Sequence, residues 1–361
     1  MARIWNFNPG PSTLPLSALE KARADIPDFQ GTGMAVMELS HRSKEFAAVH
    51  EQTKSLLKSL FGIPDNFHIL FLQGGASLQF AMVPMNLLKQ GRSADYIVTG
   101  SWSKKAIKEA KIVGSARLAG SSEENQFNRI PSPDSLDLDS EAVYVHITSN
   151  NTIAGTQWSR FPETGNVPIV ADMSSDILSR RIDLAPFGLI YAGAQKNLGP
   201  SGVTVVLIRD DLLAQCRDDI PTLLRYQTHV EKDSMFNTPP TYSIYFMKLV
   251  LEWVKEKGGL DAIEKENNAK AELLYGTMDK YPEFFKGTVE TDSRSRMNAT
   301  FRLPTEEFEA AFISEAKSAG FGGLKGHRSV GGIRVSMYNA MPLKGIEELT
   351  RFMEDFHKKN G

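Results

Sequence analysis

Residues 191–202 read YAGAQKNLGPSG and place Lys196 between a short apolar run and a Gly-Pro loop. An average lysine decorates a solvated helix face. This one has no helix to decorate, because Ala192, Gly193 and Ala194 precede it and Leu198-Gly199-Pro200-Ser201-Gly202 follow it. A lysine in a partly dehydrated pocket near a cation loses proton affinity, and its free amine can form a Schiff base with an aldehyde. Asp172 closes the preceding apolar run, VPIVAD. A carboxylate at a strand end can be a helix cap, or it can partner a buried cation. If the cation is the protonated nitrogen of a pyridoxal phosphate ring, Asp172 keeps the proton there and lets the ring accept electrons.

Three other positions fit the same chemistry. In LQGGASLQF the chain turns at Gly74-Gly75 and opens a helix near Ala76-Ser77. That is either an ordinary tight turn or a phosphate seat made of unpaired N–H groups. It is neither GxGxxG nor GxxxxGK[ST], so a dinucleotide or a P-loop nucleotide is poorly supported. Trp102, in GSWSKK, either packs in the core or stacks on a flat ring. Thr152, in SNNTIAG, could donate a hydrogen bond to a ring's phenolic oxygen but means little taken singly.

The tripeptide His-Arg-Ser occurs twice, at His41-Arg42-Ser43 and His327-Arg328-Ser329, in a chain with only seven histidines. Ordinary surface charge explains such pairs. The alternative is an anion cage, in which arginine forks bind carboxylate or phosphate and histidine adds a donor that adapts near neutral pH. Two Arg and two His could accept both a carboxylate and a phosphate, whereas a single Arg would suit dicarboxylates alone.

The elements that must hold these residues are legible as short apolar runs separated by helix-like stretches: FHILFL, ADYIVTG, AVYVHIT, VPIVAD, GLIYAG and GVTVVLIR between residues 67 and 210. Continuous apolar strands alternating with helices predict an α/β fold with a mostly parallel sheet covered on both faces. Each singled-out residue then falls just past a strand end, where ligands bind such sheets. After residue 210 two long helices are expected over 241–257 and 260–281, interrupted at Gly258-Gly259. Beyond them MNATFRL, TEEFEAAFISEAKSAG, GGIRVSMY and a final amphipathic helix predict a small α+β domain. The expected division is a large domain over 16–258 and a small one made of 1–15 and 259–361.

Taken in order, Ala76-Ser77, Trp102, Thr152, Asp172 and Gln195-Lys196 resemble the large domain of a fold-type I pyridoxal-phosphate enzyme. FNPGPSTLP, ELSHRSKEF, YAGAQKNLGPSG, MFNTPPTYSIY and GHRSVGGIRVSMYNA extend the resemblance to the phosphoserine aminotransferase family over the whole chain. The resemblance implies that Lys196 carries the cofactor aldehyde and that Ala76, Ser77 and Gln195 bind its phosphate. It implies that Asn237 and Thr238 reach that phosphate from a neighbouring subunit, making a homodimer part of the site. It also places both His-Arg pairs around the substrate's distal anion, and by analogy Arg334 on the α-carboxylate. Glutamate and 3-phosphohydroxypyruvate are the implied substrates, with 4-phosphohydroxythreonine chemistry left open.

Two rivals share that cofactor fold. A cysteine desulfurase needs a nucleophilic cysteine, and the only cysteine, Cys216, lies in the charged DDLLAQCRDD stretch where nothing lowers its pKa. An alanine:glyoxylate-type aminotransferase would not call for two His-Arg pairs. A nucleotide-binding or regulatory module on a parallel sheet would need neither Lys196 nor Asp172. Forty-one basic and 43 acidic residues leave a net charge of −2, so no nucleic-acid or membrane partner is indicated. One cysteine excludes a disulfide frame and a zinc site. With no apolar leader or membrane-length run, a cytoplasmic location is expected.

Overall fold

The computed structural model describes residues 3–361. Seven strands build the central sheet: β1 (Phe67–Leu72), β2 (Ser93–Val98), β3 (Ser115–Ser121), β4 (Val145–Thr148), β5 (Ile169–Asp172), β6 (Phe187–Gly193) and β7 (Thr204–Arg209). Their order is β1-β7-β6-β5-β4-β2-β3, and only β7 runs antiparallel to its neighbours. Every residue of β4, β5 and β6 is buried, which is why they read as unbroken apolar runs rather than alternating ones.

Alternate residues serve opposite faces. Ile69 and Phe71 join the core under helices α2 (Lys44–Phe61) and α5 (Thr241–Glu256), while Leu70 and Leu72 join the core under α3 (Gly75–Leu87) and α4 (Ser101–Val113). The sequence reading found six of the seven strands and missed β3. That strand lies at the sheet edge with most of its residues exposed or half-exposed, so SARLAGS carries no apolar run to betray it.

A third core forms around a three-stranded antiparallel sheet of β8 (Lys286–Gly287), β9 (Asn298–Arg302) and β10 (Ile333–Ser336), covered by α7 (Glu306–Ser318) and α8 (Leu343–Asn360). Phe285, Phe301, Phe312 and Phe356 interlock there edge to face. Phe7 enters this core from the chain start, where Trp5–Asn6 pairs in parallel with Phe321–Gly322. Gly258 and Gly259, both at positive φ, turn the chain between α5 and α6 (Gly259–Lys280). Helix α6 then starts in the first core through Leu260 and Ile263 and ends in the third through Leu274 and Met278.

Between those ends α6 aims a buried lysine at a loop. Lys270 Nζ donates to the carbonyls of Met337, Tyr338 and Met341 at 3.0, 2.8 and 3.0 Å, using all three of its hydrogens. Asn267, a turn earlier, donates to Ser179 O and Asn339 Oδ1, and the Asn339 N–H donates to Asn197 Oδ1. The second sheet is therefore stapled to the residue that follows Lys196. Replacing the donor leaves three carbonyls buried without partners. Lys270→Met should therefore cost about 2–5 kcal/mol and lower the thermal unfolding midpoint; an unchanged midpoint would show that these bonds do not hold the two layers together.

Candidate active site

The strand ends converge on Lys196. Its loop leaves β6 at Gly193, where a Cβ would meet Gln195 Oε1 at 2.7 Å, so only glycine lets the glutamine fold back. The N–H groups of Leu198 and Gly199 both donate to Ala194 O and close the turn. Lys196 is half-buried, and its Nζ donates to Thr152 Oγ1 at 2.6 Å while standing 5.9 Å from the centre of the Trp102 ring. The amino-terminal NPGPS segment crosses this loop. Ser12 Oγ donates to Lys196 O at 2.6 Å and Ser12 N to Gln195 O at 3.0 Å, and a Cβ on Gly10 would lie 3.4 Å from Lys196 Cγ. The sequence reading assigned this segment to the small domain and gave it no part in the site. Burial lowers the Lys196 pKa from 10.5 to about 8; the negative charge of Asp172 opposes the drop and the positive charge of Arg334 adds to it.

Asp172 is buried, and its Oδ1 accepts from Ser174 N at 3.0 Å and Ser174 Oγ at 2.6 Å. Ser174 Oγ also accepts from Gly193 N, tying the carboxylate to the start of the Lys196 loop. No hydrogen bond reaches Oδ2 among the described residues. Burial holds the Asp172 pKa above its ordinary value, against the opposing pull of Ser174 and Lys196. A cation brought to Oδ2 would reverse that shift. Trp102 opens α4, where Ser103 Oγ accepts from Thr99 N and Gly100 N, and the indole Nε1 is buried with no partner.

At β1 the turn is made by Gly74 at φ +89° and Gly75 at φ +65°; a Cβ on Gly74 would meet Leu78 at 2.4 Å. No side chain caps α3, and its first internal bond runs from Leu78 N to Gly74 O. The amides of Gly75, Ala76 and Ser77 thus precede the helical ladder, with the positive end of the helix dipole behind them. Gln73 Nε2 donates to Thr238 O at 3.0 Å, and Thr238 Oγ1 lies 3.5 Å from His41 Nδ1. The His41-Arg42 and Asn237-Thr238 loops of one chain therefore meet each other beside the Gly74 turn. No described hydrogen bond joins either loop to Lys196, Thr152 or Arg334, and His41 Nε2 is buried without a partner.

The far side of the pocket is cationic. Arg334, buried on β10, donates from Nη1 to Thr152 O at 3.4 Å and leaves Nε unpaired. Near it, His327 Nδ1 accepts from Ser329 N at 3.2 Å. A backbone N–H only donates, so the ring proton sits on Nε2 and is available to an anion. Burial holds His327 below its ordinary pKa, and the charges of Arg334, Arg328 and Lys105 lower it further. Its loop is latched by Glu309, a residue the sequence reading missed. The carboxylate accepts from Arg302 Nε at 2.5 Å and from Gly332 N at 3.2 Å, while Arg302 Nη1 donates to Val330 O at 2.9 Å.

The sequence model of the family described as Aminotransferase class-V matches residues 4–349. The chain belongs to the class-V aminotransferases. It is 56% identical over 99% of both chains to the phosphoserine aminotransferase of Lysinibacillus sphaericus. The structure of phosphoserine aminotransferase from Bacillus circulans subsp. alkalophilus superposes with a TM-score of 0.98 at 52% identity, over 99% of each chain. A PLP-bound phosphoserine aminotransferase from Trichomonas vaginalis superposes at 0.93 with 37% identity, over 98% of this chain and all of that one. The residues of this class-V aminotransferase fit pyridoxal phosphate: an amine with depressed pKa, a carboxylate oxygen without a donor, an orphaned indole N–H and an uncapped helix start. Burial also pushes the Cys216 thiol up to about 12, which argues against a cysteine nucleophile.

Because burial lowers the Lys196 pKa, the neutral amine accumulates as pH rises through about 8 rather than 10.5. The rate at which the cofactor-free chain takes up pyridoxal phosphate on Lys196 should rise with pH to a midpoint near 8. A midpoint at or above 10 would mean that the pocket does not dehydrate the amine.

Proposed function

We propose that this pyridoxal-phosphate-dependent aminotransferase moves an amino group between glutamate and 3-phosphohydroxypyruvate, giving O-phosphoserine and 2-oxoglutarate, as a step toward serine in the cytoplasm. The observation that carries the substrate is the cationic end of the pocket. Arg334 bonds Thr152, which receives Lys196, and together with Arg328 it acts on His327; among the described residues neither arginine has a carboxylate within ion-pair distance. Relatives up to 56% identical along the full chain bear the name of this activity.

Pyridoxal phosphate, when bound, supplies an electrophilic aldehyde and a ring that accepts electrons from the substrate Cα. Lys196 Nζ is the covalent attachment point and, once released, the base that takes the Cα proton and the acid that returns one. Its depressed pKa puts both protonation states within reach near neutral pH. Thr152 Oγ1 holds that amine in place. Asp172 Oδ2 would hold a proton on the ring nitrogen, and Ser174 fixes the carboxylate from behind. Trp102 would cover the ring, and the amides of Ala76 and Ser77 with Gln195 would hold the phosphate. Arg334 takes the α-carboxylate common to donor and acceptor, while His327 Nε2–H and Arg328 take the distal anion.

The His41-Arg42 and Asn237-Thr238 loops complete the site of a second copy of the chain. Their position supports this reading, since in one chain they meet each other and Gln73 beside the Gly74 turn and no described hydrogen bond joins them to Lys196, Thr152 or Arg334. Hybrids of Lys196→Ala and Arg42→Ala chains test it. If Arg42 acts across the interface, each hybrid dimer contains one intact site and regains activity that neither parent has; if Arg42 acts within its own chain, no activity returns.

Substrate identity is read from single half-reactions that bleach the cofactor absorbance. Glutamate and phosphoserine should both bleach it and alanine should not. Bleaching by alanine with none by phosphoserine would replace this reading with an alanine:glyoxylate type.

A further inference from the structure

Helix α4 begins with two adjacent lysines that do different things. Lys104 Nζ pairs with Glu123 on the outer surface. Lys105, one residue on, is rotated by about 100° around the helix and lies with its Nζ 4.3 Å from the centre of the Trp102 ring. Lys196 Nζ stands 5.9 Å from the same ring centre. Across the pocket mouth, Lys105 belongs with Arg334 and Arg328 to the charges that act on His327. Among the described residues, no carboxylate lies within ion-pair distance of Lys105, Arg328 or Arg334. Three cations that act on one histidine without ion-pair partners favour an anion beside it.

The two substrates differ in how much charge they bring. A glutamate side chain ends in one negative charge, whereas a phosphate monoester near neutral pH carries close to two. Two arginines and two histidines can satisfy a carboxylate. A further cation gains more from the second phosphate charge than from a lone carboxylate charge, and Lys105, over the Trp102 ring and acting on His327, has no carboxylate partner among the described residues. A point charge on a flexible stem suits this task, because it can reach a phosphate oxygen without competing for the fork geometry that the arginines use.

We propose that Lys105 is a specificity-determining residue that favours phosphorylated over carboxylate substrates in the distal-anion pocket. The proposal rests on the aminotransferase reading above, and one experiment separates the two. Half-reactions of the holoenzyme with phosphoserine and with glutamate are titrated for the wild type, Lys105→Met and Lys105→Arg. Methionine keeps an apolar stem over Trp102 and removes only the charge. The half-saturating phosphoserine concentration should rise about tenfold in Lys105→Met and that of glutamate about twofold or less, as expected for one partly screened charge acting on the extra charge of a dianion. Lys105→Arg should restore most of the discrimination, and the cofactor absorbance should be unchanged throughout.

Equal losses for both amino acids, or a shifted cofactor spectrum, would assign Lys105 to propping Trp102 and overturn the proposal. No loss for phosphoserine would also overturn it. A wild-type holoenzyme that phosphoserine does not bleach would instead overturn the aminotransferase reading itself.

Discussion

One amine held partly out of water organises this molecule. A lysine exposed to solvent is protonated at neutral pH and cannot act as a nucleophile, so the chain must dehydrate Lys196 without stranding a charge. It does so with short-range means. The NPGPS segment presses on the side chain, Thr152 accepts its hydrogen bond, and Asp172 lies near enough to oppose a complete loss of the proton. The result is an amine poised near 8, where either protonation state is within reach.

That requirement explains why the site is assembled from so many elements. Parallel strands deliver Asp172, Lys196, Thr152 and Trp102 to one edge of a sheet because all of those strands run the same way. The second sheet brings Arg334 over Thr152, and Lys270 with Asn267 anchors the following loop to the main body. A cation placed beside a lysine further lowers the lysine's pKa, so Arg334 also tunes the base. Among the described residues neither Arg334 nor Arg328 has a carboxylate within ion-pair distance, because the nearby Glu309 is committed to Arg302 and Gly332.

Much of this was legible in the residues themselves. Continuous apolar runs announced β1, β2, β4, β5, β6 and β7 because strands buried on both faces tolerate nothing else. Edge strand β3 was not legible, since a strand open to solvent loses that signature. At the site, Lys196 and Asp172 stood out because a charged residue closing an apolar strand breaks a pattern. Ser12, Ser174, Lys105 and Glu309 did not stand out. They are common residues in unremarkable contexts, and Ser12, Ser174 and Glu309 bond to Lys196, Gly193 and Gly332, which lie 184, 19 and 23 positions away along the chain.

The sequence by itself determined the chemistry: a lysine, a carboxylate, a glycine turn and two His-Arg pairs in an order that only a narrow family shares. Residue type and local spacing are properties of the chain, so they survive without coordinates. Tertiary structure alone decided which lone pair of His327 is occupied, which oxygen of Asp172 is left open, and that Lys105 rather than Lys104 lies over the Trp102 ring. Those outcomes depend on distances between side chains and on exclusion of water, and both exist only once the layers have packed.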